Sequence, residues 1–389
     1  MTNDYRAELK RTIGALTTAA DAPDTDARLR DFLGSCDTFL ADALADYRAG
    51  RGEVLADIPE YASKLRQYDA ILEAAPAPIG PVPLFGSATE IQARSIWRRQ
   101  LTLLLEVLDA LLDLDEERLR KTKFLWWREM DYRNRRFTIP MNFCFLLREI
   151  RKLAMLLTGE MTFVESRADG LLAGQELVRD VSLWQWFGRG HVEVKDGLLQ
   201  SQRTEMAMWT RESFEGDYAV RLRFRPRPGR VALIFALCAT PLEGLDFSVS
   251  SSPDGHWNVP PTIDLDPMDA YNHGVHAYHV SAHVPGRGSC HMRKVGNGLR
   301  MLSKLDADPC NEADRWYQVE LVKAAQAVMF FADGRLIHHY VDTGTFGPVL
   351  SGGHVGIKPF AGGMDPAITP AHPAVSYDGI EIRSVTTSD

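Results

Sequence analysis

The residues best suited to proton chemistry are concentrated in one predicted hairpin between residues 278 and 294. Side chains alternate between the two faces of a β-strand, so His279, Ser281 and His283 are predicted to share one face, with Tyr278 on the other. If the turn centres on residues 286–287, His283 would lie opposite His291 and Ser281 opposite Arg293. The hairpin therefore predicts a polar face formed by His279, Ser281, His283, His291 and Arg293, and its other candidate residues are Tyr278 and Lys294.

These side chains suit general acid–base chemistry on a substrate that carries a carboxylate. Imidazole ionises near neutral pH, and the planar guanidinium of arginine matches a carboxylate. We expect His279 or His283 to act as the base, Tyr278 or His291 as the acid, and Arg293 as the carboxylate partner. Tyr278 can take that role only if a bulge turns it towards the other face. The alternative is an ordinary solvated sheet face.

Two further groups beside the hairpin can bind cations. His273 and His276 precede the first strand, and with the hairpin histidines they can ligate a divalent metal, although their spacing matches no defined signature. Three aspartates, Asp264, Asp266 and Asp269, lie in a segment interrupted by proline. That segment is predicted to be a solvated loop, whose oxygens can bind calcium, and this interpretation is favoured over a glycosidase carboxylate pair.

Other candidate substrate-binding residues lie outside the two strands. Trp257 follows Gly255 and His256, which indicates an exposed ring able to stack on a sugar. Asp246 offers a carboxylate, and Lys294 and His339 add further polar groups. Since neighbouring residues of a strand face opposite ways, at most one of the pair 338–339 can share the polar face.

The chain that must position these residues divides into two halves of different character. It has 389 residues with a formal net charge of −8, and all of its 11 histidines lie after residue 170. Apolar residues at helical spacing predict helices over 26–49, 60–74, 90–121 and 141–157. The proline-rich stretch 75–88 is predicted to be a loop or an extended crossing. Alternating segments and Asp-Gly turns predict antiparallel strands after residue 180. We therefore predict an α+β protein, with a helical bundle over 1–170 and an antiparallel sandwich or jelly roll over 171–389.

Composition narrows the class of protein. A hydrophobic content of 45% and a charged content of 25% are typical of globular proteins. No apolar run reaches the roughly 18 residues of a membrane span, and the first residues show no signal-peptide pattern. The five scattered cysteines form no CxxC pair and indicate free thiols. We therefore expect a cytoplasmic protein without a membrane or nucleic-acid partner. The stretch 118–136 is rich in basic and aromatic residues, and it is predicted to be the solvated end of a helix.

Short motifs in the second half resemble a known family. They include Met208-Trp209, Phe214-x-Gly216-Asp217, Tyr278-His279-x-Ser281, Arg293-Lys294, Phe331-x-Asp333-Gly334 and Gly353-x-x-Gly356. Residues 180–386 resemble the YesU-like family of concanavalin-A-like β-sandwich proteins, and more distantly the domains that hydrolyse 3-keto-disaccharides. The resemblance implies a jelly roll with a concave, glycan-facing sheet. It implies no particular reaction, and residues 1–170 resemble nothing known to us.

Two functions follow as hypotheses. The first is a carbohydrate-active lyase or hydrolase that cleaves an imported uronate-containing or keto-sugar oligosaccharide, by β-elimination or by hydrolysis. The second is a non-catalytic carbohydrate-binding sandwich joined to a helical interaction domain, through which the chain would form a homo-oligomer. The fold alone does not decide between them.

Overall fold

A computed structural model describes most of the chain in two compact units. The described residues are 4–17, 25–57, 62–122, 135–188, 192–201, 206–227, 231–241, 275–283, 287–296, 300–361 and 375–388. The helical unit comprises Met1–Ile79, Ile91–Thr162 and Thr343–Pro348, and the sandwich unit comprises Gly80–Glu90, Phe163–Asp342 and Val349–Asp389. Both units are therefore built from separate stretches of the sequence. Within the described ranges, no helix combines the length and apolar character needed to cross a bilayer.

The described part of the chain contains seven α-helices. Their bounds are α1 Asp4–Thr17, α2 Thr25–Asp57, α3 Ala62–Glu73, α4 Glu90–Leu112, α5 Glu116–Thr122, α6 Arg135–Thr158 and the short α7 Glu176–Arg179. All four predicted helices are thereby confirmed as helical regions, although their bounds differ from the predicted ones.

Two of these corrections have a clear physical cause. The predicted helix over 90–121 is broken where Leu114 adopts a positive φ of 55°. Asp115 then caps the N-terminus of α5, since its carboxylate accepts a hydrogen bond from the backbone N–H of Arg118 at 3.0 Å. The central helix of the unit is α6, buried along almost its whole length between 137 and 150, whereas α4 keeps an exposed face. Pro140 lies inside α6, one turn after its start.

The proline-rich stretch 75–88 is partly extended, one of the two forms predicted for it. It contains strand β1 Val82–Phe85, which pairs in parallel with the start of β2 Phe163–Ala173. Within the sandwich unit the ring of Phe85 packs against that of Phe331, with centroids 6.1 Å apart. Prolines are tolerated in an edge strand, which is where β1 lies.

The sandwich unit consists of two sheets whose pairs, apart from β1–β2, are antiparallel. The remaining strands are β3 Trp184–Gly188, β4 Val192–Lys195, β5 Leu198–Ser201, β6 Met206–Thr210, β7 Phe214–Glu215, β8 Tyr218–Pro226, β9 Val231–Pro241, β10 Val275–Ala282, β11 Cys290–Val295, β12 Arg300–Leu305, β13 Tyr317–Ala324, β14 Ala327–Ala332, β15 Arg335–Val341, β16 Gly352–Ala361 and β17 Val375–Thr387. The nine-stranded sheet has the order β1-β2-β17-β8-β13-β14-β15, with β4 and β5 beside β17. The eight-stranded sheet has the order β12-β11-β10-β9-β16-β6-β3, with β7 beside β16.

Local sequence explains the tight hairpins. Asp333 and Gly334 both have positive φ, 47° and 75°, and connect β14 to β15 as predicted. Asp196 and Gly197 do the same between β4 and β5. Two successive residues with positive φ give the turn whose twist matches paired strands. The predicted α+β architecture, a helical region followed by an antiparallel sandwich, is confirmed.

The two sheets are joined by buried polar groups as well as by apolar packing. The Tyr218 hydroxyl on β8 accepts a hydrogen bond from the backbone N–H of Cys238 at 2.7 Å and donates to the carbonyl of Gly353 at 3.3 Å. A second buried acceptor is Asp342, whose carboxylate accepts from the Tyr278 hydroxyl at 2.5 Å and from the Lys294 ammonium at 2.7 Å. Both partners of that ion pair are almost completely buried.

This buried ion pair generates a stability prediction. Asp342→Asn leaves the Lys294 ammonium in the core without its counter-charge, and we expect it to lower the free energy of unfolding by about 3 kcal/mol. The measurement is urea denaturation followed by circular dichroism. Asp378→Asn is the matched control, since Asp378 pairs with Arg223 at the surface and its loss is expected to cost below about 1 kcal/mol. Equal losses in the two variants would contradict the expectation.

Candidate functional site

The polar face predicted for the hairpin lies on the outer side of the eight-stranded sheet. On β10, His279 and Ser281 point away from the nine-stranded sheet, while Tyr278 points inward to Asp342. The side-chain alternation predicted along this strand is therefore correct. His279 is only 2% exposed, whereas Arg293 beside it is half-buried. The arginine is thus the more accessible member of the pair.

Backbone pairing arranges the outer face in two parallel rows. Residues paired across neighbouring strands project to the same side of the sheet. The first row crosses seven of the eight strands, from β3 to β12, as Gln185, Trp209, Gly356, Ala236, His279, Arg293 and Met301. The second row runs from β16 to β12 as Lys358, Ile234, Ser281, His291 and Lys304. Neither row contains a carboxylate.

The hairpin register differs by one pair from the prediction. Ser281 pairs with His291 and His279 with Arg293, so the connection is centred one residue earlier than predicted. Strand β10 ends at Ala282 and β11 begins at Cys290. Seven residues therefore connect the two strands, which is more than the tight turn predicted around residues 286–287 would contain. The correction places the arginine beside His279, the stronger candidate for the base.

His283 does not join this face. It lies one residue beyond the end of β10, where its positive φ of 48° ends the alternation. Its Nδ1 lies 2.5 Å from the carbonyl oxygen of Cys310, to which an imidazole N–H can donate. The expected pairing of His283 with His291 is therefore wrong.

Tyr278 and Lys294 are also separated from the polar face. A bulge is present, but it lies on β9, where Cys238 has a positive φ of 54° and the pairings of both neighbouring strands shift. Strand β10 keeps its alternation, so Tyr278 remains in the core. Lys294 points the same way and binds Asp342. The condition placed on Tyr278 as an acid is not met, and the structure places Lys294 away from the outer face.

A chain of hydrogen bonds holds Arg293. Its Nη2 lies 3.1 Å from Nδ1 of His291, and Nε2 of the same ring lies 2.9 Å from the Ser289 hydroxyl. A guanidinium can only donate, so Nδ1 is the acceptor and the ring proton sits on Nε2. Both ring nitrogens are therefore engaged, and these contacts make His291 a positioning residue for Arg293.

The electrostatics of the face keep His279 neutral. Burial lowers the pKa of His279 well below its usual value, and the positive charges of Arg293, Lys358 and Arg287 lower it further. Desolvation disfavours the charged imidazolium, and neighbouring cations act in the same direction. A neutral imidazole can accept a proton, so His279 is available as a base at neutral pH.

Arg287 contributes its charge from the connection between the strands. Its guanidinium donates to the hydroxyl and the carbonyl of Ser281, both at 2.7 Å, and to the carbonyl of Ser289 at 2.9 Å. These bonds tie the connection to the end of β10 and fix the guanidinium within the polar face.

Two further predicted histidines lie elsewhere. His339 is on β15 of the nine-stranded sheet, with Nε2 3.0 Å from the carbonyl of Pro83, and burial lowers the pKa of its ring to about 4. It therefore cannot bind a substrate on the outer face of the other sheet. His338 faces the core, where its ring bonds Ser303, so neither member of the pair shares the site.

Of the two histidines predicted to bind a metal ahead of the hairpin, only His276 lies in the described residues. His276 lies at the start of β10, and its ring packs against Gly296. The positive charge of Lys294 acts on this ring. In the described residues no group of three or more histidine, cysteine or carboxylate side chains is placed to hold a metal ion. His273, Asp246, Trp257 and the three aspartates Asp264, Asp266 and Asp269 lie outside the described residues.

Sequence reasoning missed two members of this face. Lys358 lies in the strand sequence GIKPF, which shows no feature beyond alternation, and only pairing with β9 reveals its place. The second member is Trp209. It is buried, but it lies in the same row as His279, with its ring so close to Gly356 that a Cβ there would come within 2.1 Å.

The fold and this face define a β-sandwich protein with a cationic, histidine-containing sheet surface. A family model described as "Domain of unknown function (DUF1961)" matches residues 172–366, half of the chain, and the chain belongs to this family. That description carries neither the YesU-like naming nor the link to 3-keto-disaccharide hydrolysis, which stay predictions. No curated protein matches the chain.

Several solved structures are similar to the sandwich. One is a protein of unknown function with a galectin-like fold from Bacillus subtilis, 22% identical, covering 57% of this chain and 99% of that chain at a TM-score of 0.46. Another is LamAcat from Zobellia galactanivorans, 13% identical, covering 56% and 98% at a TM-score of 0.38. A third is the carbohydrate binding module CBM66 from Bacillus subtilis, 11% identical, covering 53% and 96% at a TM-score of 0.32.

The electrostatics of His279 can be measured directly. Because its pKa is well below the usual value of about 6.5, we expect its ring signals in NMR spectra of histidine-labelled protein to stay constant from about pH 8 to about pH 6. An unfolded chain would take up the proton in this range, so the contribution of His279 to stability is present above about pH 6.5 and is lost as the pH falls.

Arg293→Gln removes the neighbouring charge that lowers the pKa of His279 most, so this substitution should raise that pKa. Assignment of the signal uses His279→Gln. Titration of His279 near pH 6.5 in the unaltered protein would contradict a buried, cation-flanked imidazole.

Proposed function

We propose that this chain is a carbohydrate-active protein that cleaves an acidic oligosaccharide at the outer face of the eight-stranded sheet. The observation that carries the proposal is a neutral imidazole, His279, paired with a half-buried arginine, Arg293, on one polar sheet face. A base beside a carboxylate-binding cation is what abstraction of a proton next to a carboxylate requires.

The reaction best matched to these groups is β-elimination. Arg293 would hold the carboxylate of a uronate and stabilise the enolate-like charge that develops on it. His279 would remove the proton from the carbon next to that carboxylate. The resulting imidazolium would return the proton to the glycosidic oxygen as its bond to the sugar breaks, so one residue serves as base and then as acid.

Two features favour a sugar as the substrate. The face presents hydrogen-bonding groups on two neighbouring strands, among them Ser281 and the Ser289–His291 pair, and sugar hydroxyls need such partners when they are desolvated. The motifs in residues 180–386 also resemble a family whose sheet faces a glycan. Both support the proposal.

Elimination is favoured over hydrolysis by the residues at hand. Hydrolysis of glycosides usually needs two carboxyl groups across the scissile bond, and neither row of the outer face carries one. Asp246, Asp264 and Asp269, the carboxylates first considered for that role, lie outside the described residues.

The proposal is tested by product analysis with the full chain. Purified protein is incubated with uronate-containing, neutral and 3-keto oligosaccharides, with and without chelator, and products are identified by mass spectrometry. We expect fragments that sum to the substrate mass, one with an unsaturated end. His279→Gln should lower kcat at least about 100-fold, the usual size of a general-base contribution.

Arg221→Gln is the matched control for Arg293→Gln. Arg221 is an exposed arginine on the nine-stranded sheet, paired with Glu320, and its loss should leave the rate unchanged. Arg293→Gln should lower the rate on uronate substrates. Products that together gain one water, or a rate that survives His279→Gln, would contradict elimination by this residue.

A binding function without catalysis is the second candidate. It is favoured by the engagement of Ser289, His291 and Arg293 with one another, because such a fixed set of groups is typical of a preorganised binding surface. In that case the helical unit would serve interaction or dimerisation. Intact substrates that raise the melting temperature, with loss of the effect in Arg293→Gln, would establish this alternative.

A further inference from the structure

The outer face of the nine-stranded sheet carries a row of arginines that the proposed elimination does not use. Arg221, Arg223, Arg225 and Arg227 occupy every second position of β8 and the residue that follows it. Residues two apart on a strand share a face, and the residues between these arginines are buried. The four side chains therefore project away from the core, and each of them is half-buried or exposed.

Arg225 differs from the other three arginines because its charge is not offset. Each of the others is paired with a carboxylate, in the ion pairs Arg221–Glu320, Arg223–Asp378 and Arg227–Asp314. In the described part of the chain Arg225 forms no ion pair, and its enclosed Nε has no hydrogen-bond partner. A half-buried cation without a counter-charge attracts an anion more strongly than a fully solvated one does.

An aromatic ring holds Arg225 in place of a carboxylate. The guanidinium carbon of Arg225 lies 5.0 Å from the centre of the Trp316 ring, and that of Arg223 lies 5.4 Å from it. A guanidinium stacks on an aromatic ring through its flat face, so its N–H groups stay directed outward in the plane. The ring carries no formal charge. Trp316 therefore orients the guanidinium of Arg225 without neutralising it.

The surface around this contact is accessible and polar. Trp316 is itself partly exposed, and Gln318, two residues further along the chain, is exposed. Gln318 pairs with Arg223, whose side chain keeps 53% of its surface in solvent. The apolar C–H side of a sugar can pack against an indole, and a side-chain amide can bond its hydroxyls. A sugar that carries a carboxylate matches all of these groups.

We propose that Arg225 and Trp316 form a second sugar-binding site, which takes the carboxylate of a uronate. The planar carboxylate would accept hydrogen bonds from the outward edge of the Arg225 guanidinium. The two sheets pack through their inner faces, so their outer faces point in opposite directions. The site is therefore separate from His279, and it holds an acidic glycan without taking part in the cleavage proposed above.

The test is an NMR titration of the full chain with trigalacturonate, read at the indole N–H of Trp316. Protein that contains isotope-labelled tryptophan gives one indole signal for each tryptophan, and Trp316→Phe identifies the relevant one. We expect trigalacturonate to shift this signal in a saturable way. Arg225→Gln should raise the dissociation constant at least about tenfold, the usual effect of losing a hydrogen bond to a charged group.

Arg221→Gln is the matched control, because Arg221 lies on the same strand and its charge is already offset by Glu320. This variant should bind trigalacturonate as the unaltered protein does. Arg225→Lys keeps the charge but loses the planar edge, so it should lose most of the affinity. Thermal unfolding verifies that each variant is folded.

Three results would overturn the inference. The first is a Trp316 signal that trigalacturonate does not shift. The second is equal binding of the methyl ester of trigalacturonate, which has no charged carboxylates. The third is equal binding of inorganic phosphate, which would make this a general anion site without selectivity for a sugar.

The titration also separates this site from the proposed cleavage. Arg293→Gln removes the proposed carboxylate partner on the other sheet and should leave the Trp316 titration unchanged. A Trp316 response that is lost in Arg293→Gln would overturn a separate site. Cleavage without a Trp316 response would leave only the proposed function standing, and a response without cleavage would uphold the second site while elimination fails.

Discussion

The strict two-residue alternation of β10 is the constraint on which the rest of the site depends. One strand supplies the core with Tyr278 and the outer face with His279, and neither placement survives a shift by one residue. The bulge that the sheet does contain falls on β9 at Cys238. There it is absorbed by a hydrogen bond from the cysteine N–H to the Tyr218 hydroxyl.

The inward half of that alternation stabilises the outward half. Tyr278 and Lys294 both reach Asp342, so β10 and β11 are each bound to the same buried carboxylate. The pairing of His279 with Arg293 lies between these same two strands. The geometry of the polar face is thus held from behind, by groups that no substrate touches.

Much of this was accessible from the sequence, and the parts that were not share a cause. Helical spacing and Asp-Gly turns reveal the helical region and the hairpins, because both depend on neighbouring residues. The pairing of β1 with β2 joins residues about eighty positions apart and leaves no local trace. The same holds for Lys358, whose place is fixed by its partner on β9.

Errors at the candidate site arose where the backbone departs from regular geometry. The alternation of side chains along a strand predicted the positions of His279 and Ser281 correctly. It did not predict that of His283, because no residue pattern indicates its positive φ. The predicted register of the hairpin was wrong for a related reason, because a seven-residue connection has no turn motif as specific as Asp-Gly. Trp209 is buried, yet its strand pairing places it in the same row as His279, which its neighbours in the sequence do not show.

The interleaving of the two units has a consequence for how the chain is made. The sandwich takes its strand β1 from the first quarter of the sequence, and the helical unit takes Thr343–Pro348 from near the end. On the ribosome, where segments emerge from the N-terminus onward, the helical unit must wait for its last segment until β15 has been synthesised. Neither half can be completed as an independent early-folding module, and a gene cut near codon 170 would leave both products without a native segment.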